Sequence, residues 1–278
     1  MKHWVALLLI VIAAAGCSRE CADSLVPQLP RAQFAPETWL IDFGLPDFRT
    51  HLVSGWGGDE RWGEEQFSFV WSAGPSSVIR ANRYGSAAVR LRFRCAPKGA
   101  EQTVTTLLNG EPVATTALAP GFSIHEVTVP APRLQTGENR IEFRYRNPEP
   151  VAWDWLEILE PHARPNMRTP RKTADAVIIP YRSALRYELD LAPKSVLVLD
   201  ALDVEGEIDS ADRGRVVVTV KGGQPFEASP DGKPQRIPLD VGSTTHAQLE
   251  IMVLEPPTGA PAATAVILRK PRIAGQCK

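Results

Sequence analysis

Val89-Arg90-Leu91-Arg92-Phe93-Arg94-Cys95 alternates apolar and cationic residues without a break. A period of two puts Val89, Leu91, Phe93 and Cys95 on one face and the arginines on the other, the mark of a half-buried β-strand. Cys95 is therefore expected as a core thiol. Downstream, Thr103 to Leu108 runs into Asn109-Gly110, and Pro112 to Leu118 follows. Both turn residues accept positive φ, so this is a hairpin. The pattern continues outward in both directions. Phe67 to Trp71 ends at Gly74-Pro75, Ser123 to Val129 follows Pro120-Gly121, and Arg140 to Tyr145 follows Gly137-Glu138-Asn139. Trp153 to Leu159 closes the series. Several short strands without amphipathic helices argue for an antiparallel sandwich.

A second series begins after residues 161–173, which carry three prolines and five basic residues, counting histidine, and are expected to form a linker. Its strands are expected at 176–179, 184–191, 195–202, 216–221, 235–241, 247–254 and 264–270. Val196 to Leu199 and Val216 to Val218 are continuous apolar runs, so these strands are expected to be covered on both faces. The fold class is thus all-β, with two tandem antiparallel β-sandwiches at 38–162 and 174–274, joined by 163–173 and ending in a tail at 275–278. Each sandwich is expected to fold by itself.

The chain has 278 residues, 44% hydrophobic and 23% charged, which excludes disorder of the whole. Lys+Arg is 31 and Asp+Glu 32, so no basic excess points to nucleic acid. Pro is 25 and Gly 20, which favours short strands and turns over long helices.

Residues 1–16 form an export signal: Lys2 is the basic start, and Trp4 to Ala15 is an apolar run too short to span a bilayer comfortably. Ala14-Ala15-Gly16-Cys17 resembles a bacterial lipobox, with Ala14 where leucine is more usual. That resemblance implies lipidation of Cys17, cleavage after Gly16 and a membrane as partner. Burial of the acyl chains contributes about 0.8 kcal/mol per methylene. Ser18, rather than aspartate, implies the outer membrane of a Gram-negative envelope. Residues 17–37, with Pro27, Pro30 and Pro36, are expected to be a lipidated tether. Three cysteines remain after Cys17. Cys21 and Cys277 lie at opposite ends of the mature chain, and an exported protein meets an oxidising compartment, so a Cys21–Cys277 disulfide is expected.

The order Ser54-Gly55-Trp56, an acidic turn, Phe69-Val70-Trp71, Leu108-Asn109-Gly110, Val129-Pro130 and Thr136-Gly137-Glu138-Asn139, with a late tryptophan, resembles the galactose-binding-like jelly rolls of bacterial extracellular proteins. In particular it resembles the non-catalytic region preceding the hydrolase domain in some bacterial sulfatase-like proteins. Pro180-Tyr181-Arg182-Ser183-Ala184-Leu185 resembles the start of the second sandwich there. The resemblance spans residues 39–273 and implies a fold more than a function. Cys95-Ala96-Pro97-Lys98 departs from the Cys-x-Pro-Ser-x-Arg-like nucleophile motif of sulfatases, so no sulfatase site is expected.

The histidines His51, His125, His162 and His246 lack close ligand spacing, and no CxxC, HExxH or Walker pattern occurs. No catalytic residue, metal or cofactor is expected. Asp59, Glu60, Glu64 and Glu65 are read as a solvated acidic turn in preference to a Ca²⁺ loop. Trp56, Asp59, Glu60, Arg61 and Trp62 form the candidate ligand site. An indole covers the apolar face of a sugar, and charged side chains bond its hydroxyl rim. For Trp56 and Trp62 a core place and a ligand-facing place stay open. Trp71, Trp153 and Trp155 are expected in the core, the last two on one face of a strand. The expected function is a non-catalytic envelope lipoprotein that binds glycan. Two alternatives stay open: an assembly lipoprotein that binds other envelope proteins, or a carbohydrate-active enzyme whose carboxylate pair is spatial.

Overall fold

The computed structural model describes residues 20–62, 67–99, 101–161, 168–205, 213–239, 241–242, 246–254 and 265–276. The strands are β1 (Glu20–Ser24), β2 (Gln33–Pro36), β3 (Leu40–Asp42), β4 (Leu52–Ser54), β5 (Trp56–Trp62), β6 (Phe67–Ser72), β7 (Ser76–Arg83) and β8 (Val89–Pro97). They continue as β9 (Gln102–Leu108), β10 (Glu111–Leu118), β11 (Ser123–Val129), β12 (Gly137–Tyr145), β13 (Val151–Leu159), β14 (Arg171–Lys172), β15 (Ala176–Pro180) and β16 (Ser183–Asp190). The last are β17 (Val196–Leu199), β18 (Ala201–Val204), β19 (Arg215–Val220), β20 (Phe226–Ala228), β21 (Gln235–Pro238), β22 (His246–Leu254), β23 (Ala265–Arg269) and β24 (Arg272–Gln276). The chain is all-β, and every strand pairing described is antiparallel.

The first sandwich has a front sheet, β11-β8-β13-β6-β5 with β3 added on β13, and a back sheet, β10-β9-β12-β7-β4. The alternation of β8 works as expected: Val89, Leu91, Phe93 and Cys95 are buried, and Cys95 is a free thiol. Burial pushes that thiol far up from its ordinary value. Trp153 is fully buried among Phe93 and Phe143, with ring centroids 5.3 and 4.3 Å away. Its Nε1 donates to Tyr145 Oη at 3.1 Å, so the polar end of the indole is satisfied. Asn109 and Gly110 take φ of 51° and 88°, the two positive values that the hairpin turn needs.

The second sandwich is built from three sheets. A docking sheet has the order β2-β16-β22-β19-β20, a terminal sheet β1-β24-β17-β21, and a third sheet β14-β15-β23-β18. Several expectations are corrected here. The tether of residues 17–37 is not one from Glu20 onward: β1 pairs with β24 and β2 with β16, and Leu25 and Val26 are buried in the second core. Its prolines are accommodated, Pro30 in a 3-10 turn and Pro36 at a strand end. A piece limited to 174–274 therefore lacks two strands of its own sandwich. Of the linker, Arg171–Lys172 is an edge strand on β15, and 162–167 lie outside the described residues. The expected strand 195–202 is two strands in different sheets, β17 and β18, which part at the exposed Asp200.

The apolar run Val216 to Val218 is covered on both faces. Val216 and Val218 face the second core, while Val217 joins Ala35, Tyr84, Ala184, Met252 and Leu254 in a cluster between the sandwiches. Beside it lies a buried ion quartet. Arg83 and Arg182 each bond both Glu37 and Glu160, with Arg83–Glu160 at 2.9 Å. Glu37 Oε1 also accepts the amide of Tyr84 at 3.1 Å, and the Arg182 guanidinium lies 4.7 Å from the Trp39 ring centroid. Gly85 lies close against the pair: an added Cβ would come within 2.8 Å of both guanidinium groups. Burial alone would raise the Glu160 carboxyl, but bonds from Arg182 and Arg83 outweigh it and hold it below its ordinary value.

Removing one carboxylate leaves buried guanidinium charge uncompensated. Glu37→Ala should cost about 3–5 kcal/mol in urea unfolding, the usual cost of breaking a buried pair. The depressed Glu160 contributes to the pH dependence: its stabilisation is complete above the ordinary carboxylate value of 4.5 and is lost as pH falls through its lower folded value. Thermal melts of the parent from pH 6 to pH 3 should show this fall, and a flat profile would refute it.

Candidate functional site

Strand β8 supplies the site with its other face. Arg90, Arg92, Arg94, Ala96 and Lys98 alternate with the buried residues and look outward from the front sheet. One row crosses the sheet. Ala96 pairs with Ala152, and Ala152 pairs with Trp71. Phe122 lies beside Ala96, because Ser123 pairs with Cys95. The two alanines leave space that three rings fill. Phe69, Ala96 and Ala152 are buried as a small cluster outside the sandwich core, with Trp71 and Phe122 half-buried around it. Phe69 stands 5.2 Å from Trp71 at 87° and 5.6 Å from Phe122 at 62°, both edge-on arrangements.

Charged groups rim this aromatic platform. Arg94 bonds Asp154 at 2.6 Å and lies 5.1 Å from the Phe122 centroid. Lys98 Nζ lies 5.5 Å from the Trp71 centroid. Arg92 lies 5.4 Å from the Trp155 ring and bonds Glu157 at 3.2 Å. These are cation–π distances. Asp154 has its pKa raised by burial, against the lowering effect of the Arg94 bond. Among the described residues no group of three or more His, Cys, Asp or Glu could hold a metal ion.

The candidate residues read from sequence are dispersed. The segment Trp56 to Trp62 is not a flexible loop but β5, the edge strand of the front sheet, with a bulge between Trp56 and Asp59. Trp56 packs inward, 5.1 Å from Phe43 and 6.0 Å from Trp153, and its Nε1 donates to the Val78 carbonyl at 2.8 Å. Trp56 is thus partly buried and packs against the first core, turned away from the outer face of the front sheet. Asp59 pairs with Arg49, away from the platform. Glu60 pairs across from Phe69 and borders the platform, while the exposed Arg61 lies across from Ser68. Trp62 ends β5 opposite Phe67. Glu64 and Glu65 lie outside the described residues.

Trp71 and Trp155, expected in the core, face outward. The reason for Trp155 is a bulge: the β13–β8 register shifts between Trp153 and Trp155, Asp154 is the extra residue, and the two tryptophans fall on opposite faces. The sequence reading missed Phe69, Phe122, Arg94, Lys98 and Asp154. The outward half of the β8 alternation was the signal for two of them.

No family model matches the chain, and no curated protein matches it. Solved structures of low similarity include the CBM36-1 domain of a multidomain xylanase from the hindgut metagenome of Trinervitermes trinervoides. It has 15% identity, a TM-score of 0.34, and coverage of 45% of this chain and 98% of that one. A carbohydrate-binding module from Cellvibrio mixtus lichenase 5A, in complex with cellotriose, has 15% identity, a TM-score of 0.33, and coverage of 45% and 99%. The tandem CBM22 domains of Paenibacillus barcinonensis Xyn10C have 10% identity, a TM-score of 0.32, and coverage of 87% and 98%. At these scores the likenesses decide neither ligand nor site.

The inward and outward indoles should separate by stability. Trp56→Ala should cost about 3 kcal/mol, as large aromatic truncations in cores do. Trp71→Ala should cost about 1 kcal/mol, the scale of its ring contacts. Urea titrations of the two variants measure the difference, and equal losses would contradict the assignment.

Proposed function

We propose that this chain is a non-catalytic, lipid-anchored envelope protein whose first sandwich binds carbohydrate on the outer face of the front sheet. One observation carries the reading: half-buried Trp71 and Phe122 lie in one row with hydrogen-bonding ions at its edge. A pyranose offers C–H groups to a ring face and hydroxyls to charged rims. Lys98 has no ion-pair partner among the described residues, so its long side chain can swing off Trp71 and donate to a hydroxyl. Arg94 and Asp154 hold each other as a charged pair at the rim.

Glycan arrays on the soluble protein starting at Ser18 should find a ligand. Trp71→Ala and Phe122→Ala should each weaken it about tenfold, which is 1.4 kcal/mol. Retained affinity in both variants would remove the platform from the binding site, whatever the array shows for the parent.

Lipidation of Cys17, the Gram-negative outer membrane and the Cys21–Cys277 bridge belong to the same proposal. Cys277 lies outside the described residues, but the pairing of Cys21 with Gly275 in β1 and β24 supports the bridge. Non-reducing peptide mapping should recover one disulfide-linked peptide joining Cys21 to Cys277. Recovery of both as free thiols would reject the bridge.

A further inference from the structure

The anchor cysteine lies next in sequence to the second sandwich, whereas the glycan platform belongs to the first. Only Ser18 and Arg19 separate Cys17 from β1. Three residue steps reach about 11 Å at full extension. The anchor therefore leads straight into the second sandwich, at the Glu20 end of β1.

That end can be located. Glu20 pairs with Gln276 and Ala22 with Ala274, and Ala274 pairs with Val196, the first residue of β17. Val196 follows the end of β16, Asp190, by a short turn closed by the Ser195 amide on the Ala192 carbonyl. Asp190 pairs with His246, and Lys221 donates its amide to the Gln248 carbonyl. Glu20, Asp190, Ser195, Lys221 and His246 thus mark one pole of the second sandwich. The first sandwich docks at the other pole. Arg182 in the ion quartet immediately precedes Ser183, where β16 begins, and Ala184, Val217 and Met252 of the interface lie next to it. The eight residues of β16 put about 23 Å between the poles, at about 3.3 Å per step.

We propose that the second sandwich is a pedestal: its Glu20–Asp190–Lys221 pole rests on the lipid headgroups of the membrane that holds Cys17, and the first sandwich stands off the surface. This rests on the lipid-anchor reading above. The occupant of the pole is the bilayer, because the chain outside the structure is too short to put anything else between them. The quartet and the apolar cluster join the two sandwiches, so the stand-off is built into the fold and does not depend on an extended tether.

The chain carries its own probe. Of seven tryptophans, Trp4 leaves with the signal, and Trp39, Trp56, Trp62, Trp71, Trp153 and Trp155 all lie in or beside the first sandwich. Full-length lipidated protein is bound to phosphatidylethanolamine–phosphatidylglycerol vesicles that contain a dansyl-headgroup lipid. Tryptophan-to-dansyl energy transfer should be weak for the parent. It should rise about fivefold in Lys221→Trp and in Asp190→Trp, two exposed positions at the pole. Transfer in the parent equal to that in both variants would overturn the orientation. Mass spectrometry of the same preparation separates the other failure: Cys17 without acyl chains overturns the anchor and the pedestal together.

Discussion

The Glu37–Arg83–Glu160–Arg182 quartet is the constraint on which the rest of the arrangement depends. Its members come from four separate places: the connection after β2, the end of β7, the residue after β13 and the turn before β16. Four charges taken out of water are tolerated only if each is bonded in the same geometry, and loss of any member leaves the others stranded. The quartet thus ties the point where the chain leaves the second sandwich to the point where it returns. Between those points the whole first sandwich is inserted. Gly85 keeps the two guanidinium groups uncrowded, and Tyr84 closes the joint by donating its hydroxyl to the Ala35 carbonyl at 2.9 Å.

Much of the first sandwich was legible because strands such as β8 and β12 are buried on one side over most of their length. Period-two alternation then declares both the strand and its inward face, as it did for β8 and β12. Where local geometry broke the period, the reading failed. The bulge at Asp154 reversed Trp155, and a bulge in β5 disguised an edge strand as a glycine-rich loop. The continuous apolar run of β19 is doubly covered, as expected, but such a run does not say by what. Val217 is covered by the other sandwich.

The strands β1 and β2 were illegible for a different reason. They are short and proline-flanked, and their partners β24 and β16 lie far along the chain. Nothing in a local window records a pairing of that range. The candidate site suffered similarly. Trp56 and Trp71 look alike in sequence, yet one donates its N–H inside the sandwich and the other lies on the outer face. Only the register of β6 on β13, which sets Trp71 beside Ala152, distinguishes them.

The pairing of β1 with β24 also orders events in time. A chain synthesised from its first residue onward presents β1 early and β24 late. Until β24 arrives, Leu25 and Val26 have no completed core to enter, whereas the first sandwich has all its own strands and can close in the interval. Pairings of such range also form slowly, because a long loop must be closed first. The second sandwich therefore closes only after the last strand of the chain is present. A chain cut short before β24 would keep every strand of the first sandwich but leave the second core unfinished, with its apolar strands exposed.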